Sequence, residues 1–228
     1  CQRPLENIRL VDYGAGSGML GLLAKEARVG TVIYNDIYDV SCRDAPRIAS
    51  ALDVALDHYV EGDLNDLVSY LRRHSLVCDV MVSSDVIEHI YDIEAFLLEL
   101  GAMPADSLSL CMATDANPLN PLRKRSIVKL QRAAEYTDRK AEWGHKERDA
   151  LRSYLAIRRE MISTQAPQLA EQQVEELASR TRGLMQQDIR AAVDRFLRAG
   201  ELPWPPTHPT NTCDPRTGNW QERLCRQN

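Results

Sequence analysis

Short apolar runs alternate with longer amphipathic stretches through the first half of the chain. The amphipathic stretches carry apolar residues at helical spacing, and the helix after the second run is expected to hold Pro46 in its first turn. Regular alternation of this kind predicts an α/β fold, a doubly wound and mostly parallel sheet with helices on both faces. The predicted strands are 8–12, 31–36, 58–63, 78–84 and 107–114, and the predicted helices are 19–27, 44–55, 64–74 and 86–102.

The pattern changes after residue 117, where the strand signal ends. Residues 118–200 show helical periodicity alone, which predicts a helical insertion that serves as a lid, a substrate platform or a dimerisation surface. The apolar positions of 167–199 fall close to one helix face, and Gly200 is expected to end that helix. The segment 201–228 is rich in Pro, Thr and Trp and is expected to be irregular.

Composition and charge restrict the class of protein. The 228 residues are 44% hydrophobic and 27% charged, as in ordinary globular proteins, and no apolar run reaches the roughly 20 residues of a membrane-spanning helix. We therefore expect a cytoplasmic protein without a membrane partner. The net charge of -5 gives no general attraction to nucleic acid, but residues 121–160 hold 12 Lys or Arg and only 6 Asp or Glu. This block either meets an anionic substrate or forms a solvated helix face.

The six cysteines show no CxxC pair. Neither a zinc site nor a disulfide framework is indicated, and reduced thiols are expected.

Three glycines follow the first predicted strand in VDYGAGSG, residues 11–18. Glycines at 16, 18 and 21 fit the dinucleotide pattern GxGxxG, whereas those at 14, 16 and 18 fit GxGxG. Because the strand is expected to end at Asp12, the turn should begin at Gly14. That register puts Met19 where the dinucleotide pattern has its third glycine. The glycines predict a nucleotide-like ligand and favour the GxGxG register.

Asp36 ends the second predicted strand, 18 residues beyond Gly18. A carboxylate at this place accepts hydrogen bonds from both hydroxyls of a ribose, which suits any ligand that contains adenosine. The alternative is that Asp36 caps the segment that follows it.

Four segments resemble the class I S-adenosylmethionine-dependent methyltransferases in order and spacing. They are LVDYGAGSGMLGLLA, VIYNDIYDVS, YVEGDLNDL and CDVMVSSDVIEHIYDIEAFL, and the resemblance covers about residues 8–117. It implies a Rossmann-like core at 1–117 that binds S-adenosylmethionine and transfers its methyl group by direct displacement. The acceptor is expected to be a hydroxyl of a small-molecule or saccharide-type metabolite, and anionic metabolites are included.

The resemblance also implies roles for residues at the strand ends. Asp12, with the backbone of the glycine loop, would face the methionine end of the cofactor, and Asp36 would hold the ribose hydroxyls. Asp63, with the Leu64 amide, would contact the adenine edge. The implied cofactor-binding set is Asp12, Gly14, Ala15, Gly16, Gly18, Asp36, Ile37, Asp63, Leu64 and Ser84.

Asp85, Glu88 and His89 are expected at the start of the helix that follows the fourth strand, where their spacing puts them on one helix face. The trio resembles the element of metal-assisted O-methyltransferases that would bind a divalent ion such as Mg²⁺. His145 and His208 are candidates for further ligands. Two alternatives stay open. His89 could be a base or a substrate contact, with Glu88 as the second catalytic candidate, or the two residues could have only a structural role.

Several readings compete with this hypothesis. The chain could be a catalytically silent methyltransferase-like module that assembles with a partner, a metal-assisted RNA 2′-O-methyltransferase, or an NAD-dependent oxidoreductase. Met19 and the EGD element at 61–63 count against the oxidoreductase. We also expect that the two strands which usually complete the family's sheet either lie beyond residue 228 or are missing. The helical insertion is expected to support a homo-oligomer.

Overall fold

The computed structural model describes residues 3–140 and 150–224. The chain divides into two compact units. The first consists of Cys1–Ile87 with Asp92–Thr114, and the second of Glu88–Tyr91 with Asp115–Asn228.

A five-stranded parallel sheet forms the centre of the first unit. Its strands are β1 (Arg9–Tyr13), β2 (Thr31–Asp36), β3 (His58–Glu61), β4 (Val80–Ser84) and β5 (Ser109–Ala113). They lie in the order β3-β2-β1-β4-β5, with every neighbouring pair parallel. This confirms the predicted doubly wound, Rossmann-like α/β fold. The strand order reverses beside β1, which is where open sheets of this kind bind ligands.

The central strands are apolar because both faces of a parallel sheet are covered. Val11, Val32, Ile33 and Met81 are all fully buried. In the register of the sheet, Asp12 of β1 lies between Tyr34 of β2 and Val82 of β4. The acid that ends the apolar run of β1 is therefore held at the middle of the sheet.

Four helices surround the sheet: α1 (Met19–Glu26), α2 (Asp39–Ala51), α3 (Leu64–Arg73) and α4 (Ile93–Leu100). The second was predicted wrongly, since it begins at Asp39 and holds Pro46 in its interior. Its early start follows from Asp36, whose Oδ1 accepts a hydrogen bond from the Tyr38 amide at 2.8 Å. That bond fixes the turn in which Tyr38 becomes the residue before the helix.

The helix predicted at 86–102 is interrupted. A single 3-10 turn covers Ile87–His89, and α4 begins only at Ile93. Asp85 takes a left-handed backbone with φ of 55°. Asp92 starts the later helix because its Oδ1 accepts a hydrogen bond from the Ala95 amide at 2.9 Å. The prediction that Asp85, Glu88 and His89 share one helix face is therefore wrong.

The second unit is helical. Its helices are α5 (Pro121–Tyr136), α6 (Tyr154–Gln165), α7 (Glu171–Arg180) and α8 (Gln186–Ala199). The predicted stretch 167–199 is thus two helices, and Gly183 with φ of 79° lies in the turn between them. Gly200, with φ of 68°, ends α8 as predicted. Residues 201–224 contain no helix or strand, apart from an isolated antiparallel bridge between Cys213 and Trp220.

A buried ion pair joins three of these helices. Arg158 of α6 is fully buried and pairs with Glu135 of α5, while its Nε donates to the Ala178 carbonyl of α7 at 2.8 Å. Thr212 donates its hydroxyl to the same Glu135 carboxylate at 2.6 Å. The pair is well compensated, because hydrogen bonds satisfy the groups that burial removes from water.

None of the helices within residues 3–140 and 150–224 has both the length and the apolar character needed to cross a bilayer. The four described cysteines, Cys42, Cys78, Cys111 and Cys213, are free thiols.

Candidate functional site

The glycine loop connects β1 to α1 with three left-handed residues. Gly14, Gly16 and Gly18 have φ of 65°, 56° and 79°, a region that disfavours side chains. A Cβ on Gly14 would lie 2.4 Å from a methyl group of Val86, so glycine at this position is needed for the packing of the Val86 side chain. A Cβ on Gly16 would meet nothing within 4 Å. The free space above Gly16 fits close approach of a ligand to the backbone.

Asp12 lies beneath this loop and is almost completely buried. Its Oδ2 accepts a hydrogen bond from the Gly21 amide of α1 at 2.8 Å. Burial raises the pKa of Asp12 to about 6, against the Gly21 hydrogen bond, and the charge of Asp36 adds to the rise. A buried carboxylate that forms no ion pair with a described Lys or Arg suits the ammonium group of an amino-acid ligand.

Gly21 has a packing role that was not predicted from the sequence. A Cβ at this position would lie 3.2 Å from Val32 and 3.3 Å from the Asp12 carboxylate, so the glycine allows α1 to pack closely on the sheet. The signal was present in the sequence as the last glycine of the alternative GxGxxG register.

Asp36, at the end of β2, is buried and holds the loop in place. Its Oδ2 accepts from the Gly16 amide at 2.7 Å, and its Oδ1 accepts from the Tyr38 amide at 2.8 Å. Tyr34 supports the same loop by donating its hydroxyl to the Gly16 carbonyl at 2.7 Å. The alternative hypothesis, in which Asp36 caps the segment that follows it, therefore agrees with the hydrogen bond from the Tyr38 amide. Each carboxylate oxygen retains further acceptor capacity for a ribose hydroxyl.

Asp63 follows β3 and is the N-cap of α3. Its Oδ1 accepts from the amides of Asn65 and Asp66, and Asp66 returns a bond to the Asp63 amide. The Leu64 amide donates no hydrogen bond to any of the residues that the structure describes. An exposed carboxylate beside an available amide offers the acceptor and donor that an adenine edge requires.

The remaining predicted cofactor residues lie on the same unit. The Ala15 amide donates to the Asn35 carbonyl at 2.9 Å, which ties the loop to β2. Ile37 is 49% exposed directly after Asp36. Ser84 is exposed at the end of β4, with its hydroxyl 3.4 Å from Asp85 Oδ2. The cofactor set is thus distributed over the carboxyl ends of β1 to β4.

The described residues do not support the predicted metal site. Among the residues that the structure describes, no group of three His, Cys, Asp or Glu side chains is arranged to hold a metal ion. The break between Asp85 and α4 explains this for the predicted trio, because the three residues no longer project from one helix. His145 lies outside the described residues, and the Nδ1 of His208 accepts from the Thr210 amide at 3.3 Å.

Glu88 and His89 instead contact the C-terminal segment of the second unit. The Nδ1 of His89 lies 2.7 Å from the Trp220 carbonyl oxygen. The Arg223 amide donates to the Glu88 carbonyl at 3.1 Å. The sequence did not link Trp220 or Arg223 to this turn, since nothing along the chain connects residues so distant from Glu88.

Two curated proteins match this chain in sequence, whereas no family model does. The mitochondrial ubiquinone biosynthesis O-methyltransferase of Homo sapiens is 30% identical over 96 residues, which are 42% of this chain and 25% of that protein. The ubiquinone biosynthesis O-methyltransferase of Mesorhizobium japonicum is 28% identical over 127 residues, 53% of this chain and 46% of that protein. The chain therefore spans less than half the length of either relative.

Two solved structures show a partial likeness. The PH0226 protein of Pyrococcus horikoshii OT3 has a TM-score of 0.38 at 22% identity and covers 58% of this chain and 56% of its own. The ribosomal protein L11 methylase of Lactobacillus delbrueckii has a TM-score of 0.35 at 21% identity and covers 63% and 67%. The two sequence matches, together with the strand order and the glycine loop, relate this chain to the class I S-adenosylmethionine-dependent methyltransferases.

Proposed function

We propose that this chain carries the catalytic core of an S-adenosylmethionine-dependent O-methyltransferase that acts on a hydroxyl of a small-molecule or saccharide-type metabolite. The names of its two curated relatives support oxygen as the acceptor atom. The proposal rests on one observation above the others, namely that Gly16 leaves free space over a left-handed loop whose neighbours are two buried acids, Asp12 and Asp36.

Each part of this arrangement suits one part of the cofactor. The ionised Asp12 would pair with the ammonium group, Asp36 would accept from the ribose hydroxyls, and Asp63 with the Leu64 amide would bind the adenine edge. Bound S-adenosylmethionine supplies a methyl group on a positively charged sulfur, which is already an activated leaving group. The protein's main task is therefore to align the reactants and exclude water.

A hydroxyl acceptor must also lose a proton. His89 follows β4 by five residues, and its imidazole is the side chain we assign to this task, with Glu88 as a second polar group of the same turn. No step is assigned to a metal ion, since no group of three possible ligands comes together within residues 3–140 and 150–224.

A matched pair of glycine variants tests the cofactor site. Gly16→Ala places a methyl group in the free space and adds strain at φ of 56°. Gly200→Ala also adds left-handed strain, at φ of 68°, with nothing within 4 Å, at the C-terminal end of α8. We expect both variants to fold, while only Gly16→Ala loses S-adenosylmethionine affinity by at least tenfold in calorimetry.

The results of cofactor binding and turnover assays distinguish the proposed function from its alternatives. If the unsubstituted chain does not bind S-adenosylmethionine, or if the two variants bind it equally well, the proposal fails. If the chain binds the cofactor but releases no S-adenosylhomocysteine with any member of a panel of phenols and sugars, the silent assembly module becomes the better description. Turnover with an RNA 3′ end would replace the small-molecule acceptor.

A further inference from the structure

The segment Glu88–Tyr91 is bound by backbone and side-chain hydrogen bonds to residues 220–223 of the same unit. The Trp220 amide donates to the His89 carbonyl at 3.2 Å, and the Trp220 indole donates to the Tyr91 carbonyl at 3.3 Å. The Arg223 amide donates to the Glu88 carbonyl at 3.1 Å. These contacts fix the backbone on both sides of the His89 ring.

The contact of the His89 ring itself defines its tautomer. Nδ1 lies 2.7 Å from the Trp220 carbonyl oxygen, and a carbonyl oxygen can only accept. The proton of a neutral imidazole must therefore be on Nδ1, which leaves the lone pair on Nε2. His208 shows the opposite case, because its Nδ1 accepts from the Thr210 amide and its proton must be on Nε2.

Aromatic packing holds the Trp220 carbonyl in position. The Trp220 indole stacks on the Tyr91 ring at 6.0 Å with planes 16° apart, and the Arg223 guanidinium lies over the indole at 4.7 Å. The Tyr91 hydroxyl donates to Asp188 at 2.5 Å. Gly218 permits this stack, since a Cβ there would lie 3.1 Å from the Tyr91 ring.

The neighbouring residue also favours a polar ligand at this turn. Glu88 is 6% exposed, and its Oε2 has no hydrogen-bond partner among the described residues. A buried carboxylate oxygen without a partner is costly, and a bound hydroxyl compound or water would relieve that cost.

We propose that the Trp220 carbonyl holds His89 in the Nδ1–H tautomer, so that Nε2 is available to take the proton of the acceptor hydroxyl. Tyr91, Trp220 and Arg223 are then positioning residues for this base. The proposal rests on the O-methyltransferase function given above. The hydroxyl proton moves to Nε2, the oxygen forms its bond to the methyl carbon as the carbon–sulfur bond breaks, and that electron pair stays on sulfur. The imidazolium then returns its proton to solvent.

Nitrogen-15 NMR of the histidine rings tests the tautomer without any turnover. At a pH where the rings are neutral, we expect the His89 signals of the Nδ1–H form and the His208 signals of the Nε2–H form in one spectrum. The spectra of His89→Asn and His208→Asn variants assign the two rings. A His89 ring that carries its proton on Nε2 would overturn the proposal.

A pair of tryptophan variants tests the positioning role. Trp220→Phe removes the indole donor to Tyr91 and weakens the stack, whereas Trp204→Phe makes the same change at a residue that is 91% exposed. We expect Trp220→Phe to raise the fraction of the Nε2–H tautomer at His89 and to lower kcat about threefold to tenfold. Trp204→Phe should change neither, and equal effects of the two variants would refute the role of Trp220.

The variant His89→Asn tests the base itself. Asparagine can still donate to the Trp220 carbonyl from its amide nitrogen but cannot accept a proton, so the fold and cofactor affinity should stay while kcat falls about 10²-fold to 10⁴-fold. Unchanged kcat would exclude His89 as the base even if the tautomer is as expected. If the unsubstituted chain does not bind S-adenosylmethionine, the proposed function is refuted instead. The tautomer measured by NMR does not depend on that result.

Discussion

Asp12 gives the fold a pH dependence of unusual sign. Its pKa rises from the ordinary value of 3.8 to about 6 because the carboxyl is buried. Between these values the folded state binds more protons than the unfolded state, so the free energy of unfolding falls as pH rises through this window. At about 1.4 kcal/mol per pKa unit, the ionised group costs the fold about 3 kcal/mol above pH 6.

The substitution Asp12→Asn removes this cost, since the amide oxygen can still accept from Gly21. We expect the stability of Asp12→Asn relative to the original chain to improve by about 2 kcal/mol between pH 4 and pH 7.5, measured by urea unfolding. Because the difference in unfolding free energy between the two proteins is compared at two pH values, any packing effect that does not depend on pH cancels. A difference between the two proteins that does not vary with pH would contradict the assigned pKa.

The same carboxylate should make cofactor binding depend on pH. If only ionised Asp12 pairs with the ammonium group, S-adenosylmethionine should bind about tenfold more weakly at pH 5 than at pH 7, as follows from a pKa of about 6. In Asp12→Asn, binding should be weak at both pH values. Calorimetry at the two pH values tests this, and a wild-type affinity that is equal at both would show that Asp12 does not contact the cofactor's charge.

Variants at three further positions test individual contacts. Gly14→Ala should destabilise the fold by about 1–3 kcal/mol in denaturant unfolding, since it combines left-handed strain with a clash at Val86. Asp63→Asn should retain the helix cap yet weaken cofactor binding severalfold in calorimetry, whereas Asp63→Ala should also cost about 1 kcal/mol of stability. Arg158→Met leaves the buried Glu135 with only the longer ion pair to Arg182 at 4.0 Å and should destabilise by about 3 kcal/mol in thermal or urea unfolding.

The sheet was predictable mainly from β1, β2 and β4, which are apolar runs with an acid or a serine at or beside their ends. In a parallel sheet such runs are buried on both faces, and their ends fall on one edge. Asp12, Asp36 and Asp63 could therefore be located by counting along the chain. β2 has the bounds that its apolar run predicts.

The turn after β4 could not be predicted from local pattern. The sequence 86–102 has helical spacing throughout, but the left-handed Asp85 and the Asp92 cap divide it. The residues that hold Glu88 and His89 come from positions 220–223, far along the chain. Periodicity describes one element at a time and carries no information about such long-range contacts.

The two units do not correspond to two continuous pieces of sequence. The chain passes between them at residues 87 and 88, at 91 and 92, and at 114 and 115. A fragment excised after Thr114 for fusion or transplantation would therefore carry Glu88–Tyr91 without the partners that bind His89 and Tyr91. The Rossmann-like part of this protein is not a portable module, and shuffling it at that boundary would separate the candidate base from its support.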